Sequence, residues 1–233
     1  MTGRETLQRV ATHVLARRRA ALCGKFGLRA TPGGIGTSAC GPDHEVVRIA
    51  GTRLIRELSG ATARATALDL RTATLADAAE LVDVDLDGEF EAGHDTPLLG
   101  PTTTALGVDP DAAAAVAAWF AFGWAALDGA LAELGPDADA SIVQLWPEHF
   151  DAGCDVSVGR DQRANLGASP GDGFSAQPYL YVGPWDAARP GDAEFWNTPF
   201  GAVMGYEKLQ ATNDPVAVGV AFLVRGVELL WAR

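Results

Sequence analysis

D-P-D-A-A-A-A-V-A-A-W-F-A-F-G-W-A-A-L-D-G-A-L-A-E-L-G-P, Asp109 to Pro136, is the stretch whose reading decides the architecture. Asp109-Pro110 is a strong helix start, an N-cap carboxylate followed by proline at the first helical position, and Gly135-Pro136 is an equally clear stop. Between them Trp119, Phe120, Phe122, Trp124, Leu127, Leu131 and Leu134 leave the helix apolar almost all round. Such a helix belongs between layers or at a subunit interface.

The segments on either side of it are grouped by type. Thr2 with Glu5 reads as a capping box, and Leu7, Val10, Ala11, Val14, Leu15 and Leu22 follow at helical spacing, which predicts a helix over residues 3–22. Strand-like runs come next at Phe26–Thr31, Val46–Ala50, Arg53–Leu58 and Arg64–Leu70, with a tight hairpin at 50–52, then a short helix at Leu75–Leu81. Residues 83–108 form a long excursion. Beyond the long helix, Ser141–Trp146, Ala152–Val158, Pro178–Val182 and Gly201–Tyr206 read as strands, and Asp214-Pro215 opens a last helix. Grouped strands favour an α+β fold of mostly antiparallel sheet, with a long buried helix near 110–134 and the terminal helices packed on it, over a doubly wound parallel sheet. The expected organisation is one integrated domain, 1–233, with sub-lobes 1–108 and 109–233 as the alternative partition.

Composition narrows the function. A formal net charge of -12 repels phosphate over most of the surface, so neither nucleic acid nor an anionic membrane is an expected partner. The N-terminus lacks an apolar signal core, and the longest apolar stretch is the helix described above, so a cytoplasmic protein is expected. The charge is unevenly laid out: Arg4, Arg9, Arg17, Arg18, Arg19, Lys25 and Arg29 come early, while Asp83, Asp85, Asp87, Glu89, Glu91 and Asp95 form an acidic run. These read as solvated faces that pair with each other. Cys23, Cys40 and Cys154 are odd in number and have no C-x-x-C spacing, which indicates neither a disulfide framework nor a zinc site. Cys23 and Cys154, flanked by apolar residues, are poor nucleophile candidates.

Chemically capable residues crowd into Gln144–Tyr206. In L-W-P-E-H-F-D, Glu148, His149 and Asp151 have the chemistry for general acid and base work or for ligating a divalent metal, with Asp155, Asp172 or His94 as a further ligand. His149 is expected within reach of a carboxylate, Asp151, Glu148 or one from the 165–172 loop. If residues 151–158 form a strand, Asp151, Gly153, Asp155 and Ser157 share one face and Ala152, Cys154, Val156 and Val158 the other. R-A-N-L-G-A-S-P-G-D-G, 163–173, is by its local signals a loop whose amides could make an anion nest beside Arg160 and Arg163. R-A-T-P-G-G-I-G-T, 29–37, reads as a turn between strands. Asp83-x-Asp85-x-Asp87-Gly88 matches only the first half of a calcium loop. No dinucleotide, phosphate-loop, serine-hydrolase or zincin motif is present, and the sequence names no cofactor.

The strings R-A-T-P-G-G-I-G-T, H-D-T-P, W-F-A-F-G-W-A-A-L-D, L-W-P-E-H-F-D, N-L-G-A-S-P-G-D and P-Y-L-Y-V-G-P-W resemble those of a family of conserved actinobacterial proteins, a domain of unknown function. The likeness extends over nearly the whole chain. It implies a single integrated domain and brings no activity, ligand or catalytic residue.

Three readings of function follow. The first is a small-molecule-binding protein with a pocket walled by Trp146, Tyr179, Tyr181, Trp185 and Trp196 and anchored by His149, Asp151, Arg163, Asn165 and Asp172. The second is a hydrolase or isomerase, with or without a metal, working through Glu148, His149 and Asp151. The third is a homodimer built on the apolar helix, without catalytic activity.

Overall fold

The computed structural model describes residues 3–61, 63–159, 161–187 and 189–231. Its contacts divide the chain into two units, Met1–Ala121 with Leu145–Phe150, and Phe122–Gln144 with Asp151–Arg233. The division falls inside the long helix and not at residue 108.

In the first unit the helical pattern behind Glu5 becomes α1 (Gly3–Val10), a π-helical segment (Ala11–Ala16) and α2 (Arg17–Cys23), closed by Gly24 in the left-handed conformation. The expected capping residue, Thr2, lies outside the described residues. Five strands follow as an antiparallel meander in the order β1 (Arg29–Thr31), β2 (Gly34–Gly36), β3 (Val46–Ala50), β4 (Arg53–Leu58) and β5 (Arg64–Asp69). The expected turn at 29–37 is therefore a hairpin, with β2 pairing to both β1 and β3. Ala50 faces Arg53 across Gly51-Thr52, the tight turn expected there. Val47, Ile49, Leu54 and Leu58 point inward, while Arg48 and Glu57 pair at 3.0 Å on the other face. Thr74 caps α3 (Leu75–Leu81) in a reciprocal box with Asp77.

The basic N-terminal residues do less charge pairing than their sequence suggests. Arg9, His13 and Arg17 recur every four residues, a spacing that stacks side chains along one side of a helix. Arg9 donates to the carbonyls of Leu99 and Pro101, His13 Nε2 to that of Pro97 at 2.7 Å, and Arg17 to that of Gly88, with its guanidinium over the Phe90 ring. A long segment without regular structure has carbonyls to satisfy, and this row of donors satisfies four of them. Of this N-terminal basic group, among the described residues, Arg18 pairs with carboxylates, and it does so together with Arg56 of β4. Both bind Glu45, whose side chain is only 4 % exposed, and both approach Asp83. Asp83, the first residue of the partial calcium motif, is thus committed to two arginines.

A short strand, β6 (Gln144–Trp146), precedes β7 (Asp151–Ser157), β8 (Arg163–Ser169), β9 (Tyr179–Pro184) and β10 (Ala202–Gly205), and these last four form the antiparallel sheet of the second unit in the order β10-β9-β8-β7. The segment 163–169, expected as a loop, is a central strand. Its Asn, Gly and Ser are turn formers only where no register is imposed on them. Here Ala164, Leu166 and Ala168 alternate into the core, and the polar residues between them line the opposite face. Ala152, Cys154 and Val156 of β7 and Leu180 and Val182 of β9 complete the apolar side. The last helix, α6 (Pro215–Trp231), packs there: Gly219 lies against Leu180, Ala126 and Phe122, and Gly226 against Val182. A short helix, α5 (Tyr206–Gln210), precedes it.

The long helix, α4, spans Pro110–Leu134, as its caps predict. By length and composition it is long and apolar enough to cross a membrane. In this fold Trp119, Phe120, Ala126, Leu127 and Ala130 are buried along its length. Its outward positions are Ala114, Ala115, Ala118, Ala121, Ala125 and Ala132 together with Asp111, Asp128 and Glu133, so burial is one-sided. Alanine suits such positions because it combines the best helix propensity with little exposed apolar area.

Glu45 supplies a test of the first unit. Burial works against its charge, but hydrogen bonds from Arg18 and Arg56 outweigh burial and hold its carboxyl below the ordinary value of 4.5. A depressed folded pKa contributes stability that is present above the unfolded value and lost as pH falls through the folded one. Glu45→Gln should lower unfolding free energy at pH 7 by about 3 kcal/mol, the scale for removing one member of a buried ion cluster. Urea denaturation between pH 7 and 3 should show a shallower acid slope in the variant.

Candidate functional site

The alternation of β7, β8 and β9 that buries one face, Cys154 included, sets the acidic, basic, amide and tyrosine side chains of these strands on the other. Register aligns Gly153 with Gly167 and Gly167 with Tyr181, and aligns Asp155 with Asn165 and Asn165 with Gly183. Asp151, Arg163, Ser169, Tyr179 and Trp185 belong to the same alternating set.

Tyr181 organises this face. A Cβ built on Gly167 would lie 2.2–2.4 Å from the ring and hydroxyl of Tyr181, so the ring crosses β8 at the one position without a side chain. Its hydroxyl reaches β7 and donates to Asp151, which is 9 % exposed. Burial first, then the charge and hydrogen bond of Asp151, push the phenol pKa well above its ordinary value. Two residues earlier Tyr179 repeats the arrangement, donating to Asp172, with the ring centroids 6.1 Å apart. Its phenol is raised too, by burial and then by Asp172. Both tyrosines are therefore fixed hydrogen-bond donors and remain protonated well into alkaline solution.

Asp172 also organises its own loop. Its Oδ1 accepts from the amides of Phe174 at 2.8 Å and Ser175 at 3.1 Å, and its Oδ2 from Ser169 at 3.3 Å. Of the segment expected to form an anion nest, residues 163–169 are paired in β8, the Gly171 amide donates to Ser169 Oγ at 3.2 Å and the Asp172 amide to the Ser175 carbonyl at 2.7 Å, and Arg160 lies outside the described residues. Arg163, expected beside that nest, instead binds Asp155 and reaches Asp139 at 3.2 Å. Burial alone would raise Asp155, yet Ser141 and Arg163 hold its carboxyl below the ordinary value.

At the far end of β9 the exposed Trp185 donates its indole N–H to Asn165 Oδ1 at 2.8 Å, and its backbone amide to the Arg163 carbonyl at 3.0 Å. Between Tyr181 and Trp185 stands Gly183. A Cβ there would meet nothing nearer than 3.9 Å. The side-chain row Tyr181–Gly183–Trp185 thus contains a gap flanked by two aromatics and floored by backbone, with Asn165 beside it on β8. Two strand repeats place the flanking backbone positions roughly 13 Å apart. Asn165 was expected as an anchor, but Gly167 and Gly183 carried no visible signal, because their importance follows from register alone.

The expected acid–base trio does not form a cluster. Glu148 and His149 belong to the first unit, in a turn that ends at Phe150 with φ +56°. A left-handed Phe is costly, and here it seats the ring edge-on against Phe120 at 5.3 Å. Glu148 is buried, its carboxyl close to the Gly93 backbone and its carbonyl bound by Gln8. The exposed His149 does lie near a carboxylate, but that carboxylate is Asp95, at 3.4 Å, and His94 packs edge-on beside it at 6.1 Å. Asp151 belongs to the second unit and to Tyr181. Among the described residues no three His, Cys, Asp or Glu side chains converge as a metal set.

The expected aromatic walls disperse as well. Trp146 is tilted against Phe26 at 6.2 Å in the first unit. Trp196 is buried in the second, donating to the Pro190 carbonyl at 2.9 Å with Arg189 over its ring. Only Tyr179, Tyr181 and Trp185 share a face. A small apolar hollow lies elsewhere, lined by Leu7, Ile35, Ile49 and Val116 of the first unit, and has no titratable side chain in its wall. No family model, curated protein or solved structure matches the chain.

The position of Tyr181 can be tested through the glycine beneath it. Gly167→Ala should force the ring off Asp151 and cost about 2 kcal/mol in urea denaturation, within the range for overpacking. Gly205→Ala, where a Cβ meets nothing within 4 Å, should leave stability unchanged within about 0.5 kcal/mol.

Proposed function

We propose that the second unit is a small-molecule-binding module whose site is the gap between Tyr181 and Trp185, and that its ligand is a neutral, hydroxyl-rich ring of the carbohydrate class. The observation that carries this reading is the state of Trp185. It is 62 % exposed, yet its one polar atom is already bound to Asn165. An indole in that condition offers water only its apolar surface, in a fixed orientation, which is costly unless something stacks on it. Sugar rings present such a surface, with C–H groups on one face and hydroxyls around the edge.

The polar surroundings suit hydroxyls better than charges. The carboxylates of Asp151 and Asp172 each accept a bond from a tyrosine, and Asp155 is paired with Arg163, so each carboxylate on this face is already held by a partner within the chain. The overall charge of -12 disfavours anionic ligands. Among the described residues the side-chain nitrogen of Asn165 makes no hydrogen bond, which leaves it as a donor at the edge of the gap. The site is small and mostly preformed, and a few oriented polar groups fix specificity.

Titration with a panel of monosaccharides, short oligosaccharides and polyols, followed by tryptophan fluorescence and calorimetry, tests the reading. Trp185→Ala should weaken binding at least about tenfold, equivalent to ~1.4 kcal/mol, while leaving the urea midpoint unchanged. Gly183→Leu, which fills the gap, should abolish binding in a folded protein. Absence of binding to any member of the panel, or binding indifferent to both substitutions, would remove the proposal.

A further inference from the structure

Outside the sheet face, the first unit holds a pair of thiols that the sequence spacing conceals. Cys23 closes α2, and Cys40 opens the turn that leads into β3. Their sulfur atoms lie 2.7 Å apart, well inside the ordinary contact distance of two thiols. Cys23 is exposed and Cys40 is buried. The expectation that Cys23, flanked by apolar residues, is a poor nucleophile candidate rests on its sequence neighbours and takes no account of this contact.

The approach is held from both sides. Cys40 exchanges two backbone hydrogen bonds with Glu45, at 2.8 and 2.9 Å, which closes the turn. Glu45 is in turn gripped by Arg18 of α2, the helix that carries Cys23. One ion pair therefore ties the two cysteine-bearing segments together independently of any sulfur chemistry. Arg19, one residue along, donates to the Gly27 carbonyl, and its Nε is buried with no hydrogen-bond partner among the described residues. Burial and the neighbouring thiol push the Cys40 pKa up, and Arg19 opposes them. The guanidinium thus stands where it would stabilise a thiolate formed during exchange.

We propose that Cys23 and Cys40 are a reversible redox pair that closes to an intramolecular disulfide by exchange with the disulfide of a low-molecular-weight thiol. The exposed Cys23 thiolate attacks one sulfur of the oxidant, forming a mixed disulfide and expelling one thiolate, which takes up the proton Cys23 lost. The Cys40 thiolate then attacks the Cys23 sulfur, forming the internal bond and expelling the second thiolate, which takes up the proton from Cys40. Two protein thiols are oxidised by two electrons, and one small disulfide is reduced to two thiols. The product clamps the end of α2 to the turn before β3. Cys154 stands apart from this chemistry: burial first, then nearby carboxylates, push its pKa up to about 12.

The test uses the whole reduced protein incubated with excess oxidised glutathione, followed by intact mass and thiol counting. The expected product is lighter by two hydrogens, keeps a single free thiol at Cys154, yields a peptide linking Cys23 to Cys40, and returns to the starting mass with dithiothreitol. Its urea midpoint should rise and fall with oxidation and reduction. Cys40→Ser should instead accumulate glutathione on Cys23, because the resolving thiol is gone. If the wild type keeps all three thiols, or if it retains stable glutathione on Cys23 with Cys40 free, the pair is not redox-active and the proposal is overturned. Folding of each variant is checked by circular dichroism, so that loss of structure is not mistaken for loss of exchange.

Discussion

The ring of Tyr181 lying across Gly167, with its hydroxyl on Asp151, is the contact on which the polar side of the second sheet depends. Three strands meet in it. β9 supplies the ring, β8 the missing side chain that lets the ring lie flat, and β7 the acceptor. A hydroxyl brought against a buried carboxylate stabilises only if the bond is made, since either group left alone would carry the full cost of desolvation. The same contact therefore enforces register. A slip of one residue would turn Tyr181 toward α6 and send Leu180 and Val182 to the polar face.

The first unit solves a different problem. Residues 83–108 have little regular structure of their own, and such a segment folds only if its carbonyls find donors. The row Arg9, His13, Arg17 supplies them from one side of the N-terminal helix, while Arg18 and Arg56 converge on Glu45. Sequence charge suggested a basic segment meeting an acidic one. In the fold, most of the basic groups act as donors to backbone, and arginine's forked geometry suits that work better than a point charge would.

Much of the architecture was legible. Asp109-Pro110 and Gly135-Pro136 bound α4, because caps act locally, and the alternation of 151–157 gave both faces of β7. β8 was hidden because the chemistry of Asn165, Gly167 and Ser169 is that of turns, and only pairing with β7 and β9 overrides it. Cys23 and Cys40 were hidden for a related reason: seventeen residues and a whole hairpin separate them, so no spacing rule connects them. At the site, Tyr179, Tyr181, Trp185, Asn165 and Asp172 were legible as a class, but their pairing was not. Glu148, His149 and Asp151 were grouped by proximity in sequence, whereas the left-handed backbone at Phe150 gives them separate partners.

The most direct measurement is the coupling free energy between Tyr181 and Asp151, obtained from urea denaturation of Tyr181→Phe, Asp151→Asn and the double variant at pH 7. If the bond across Gly167 organises the face, the two residues act as one unit, and the cycle should return a stabilising coupling of about 1–3 kcal/mol. Additive effects, with a coupling within about 0.3 kcal/mol of zero, would contradict the account.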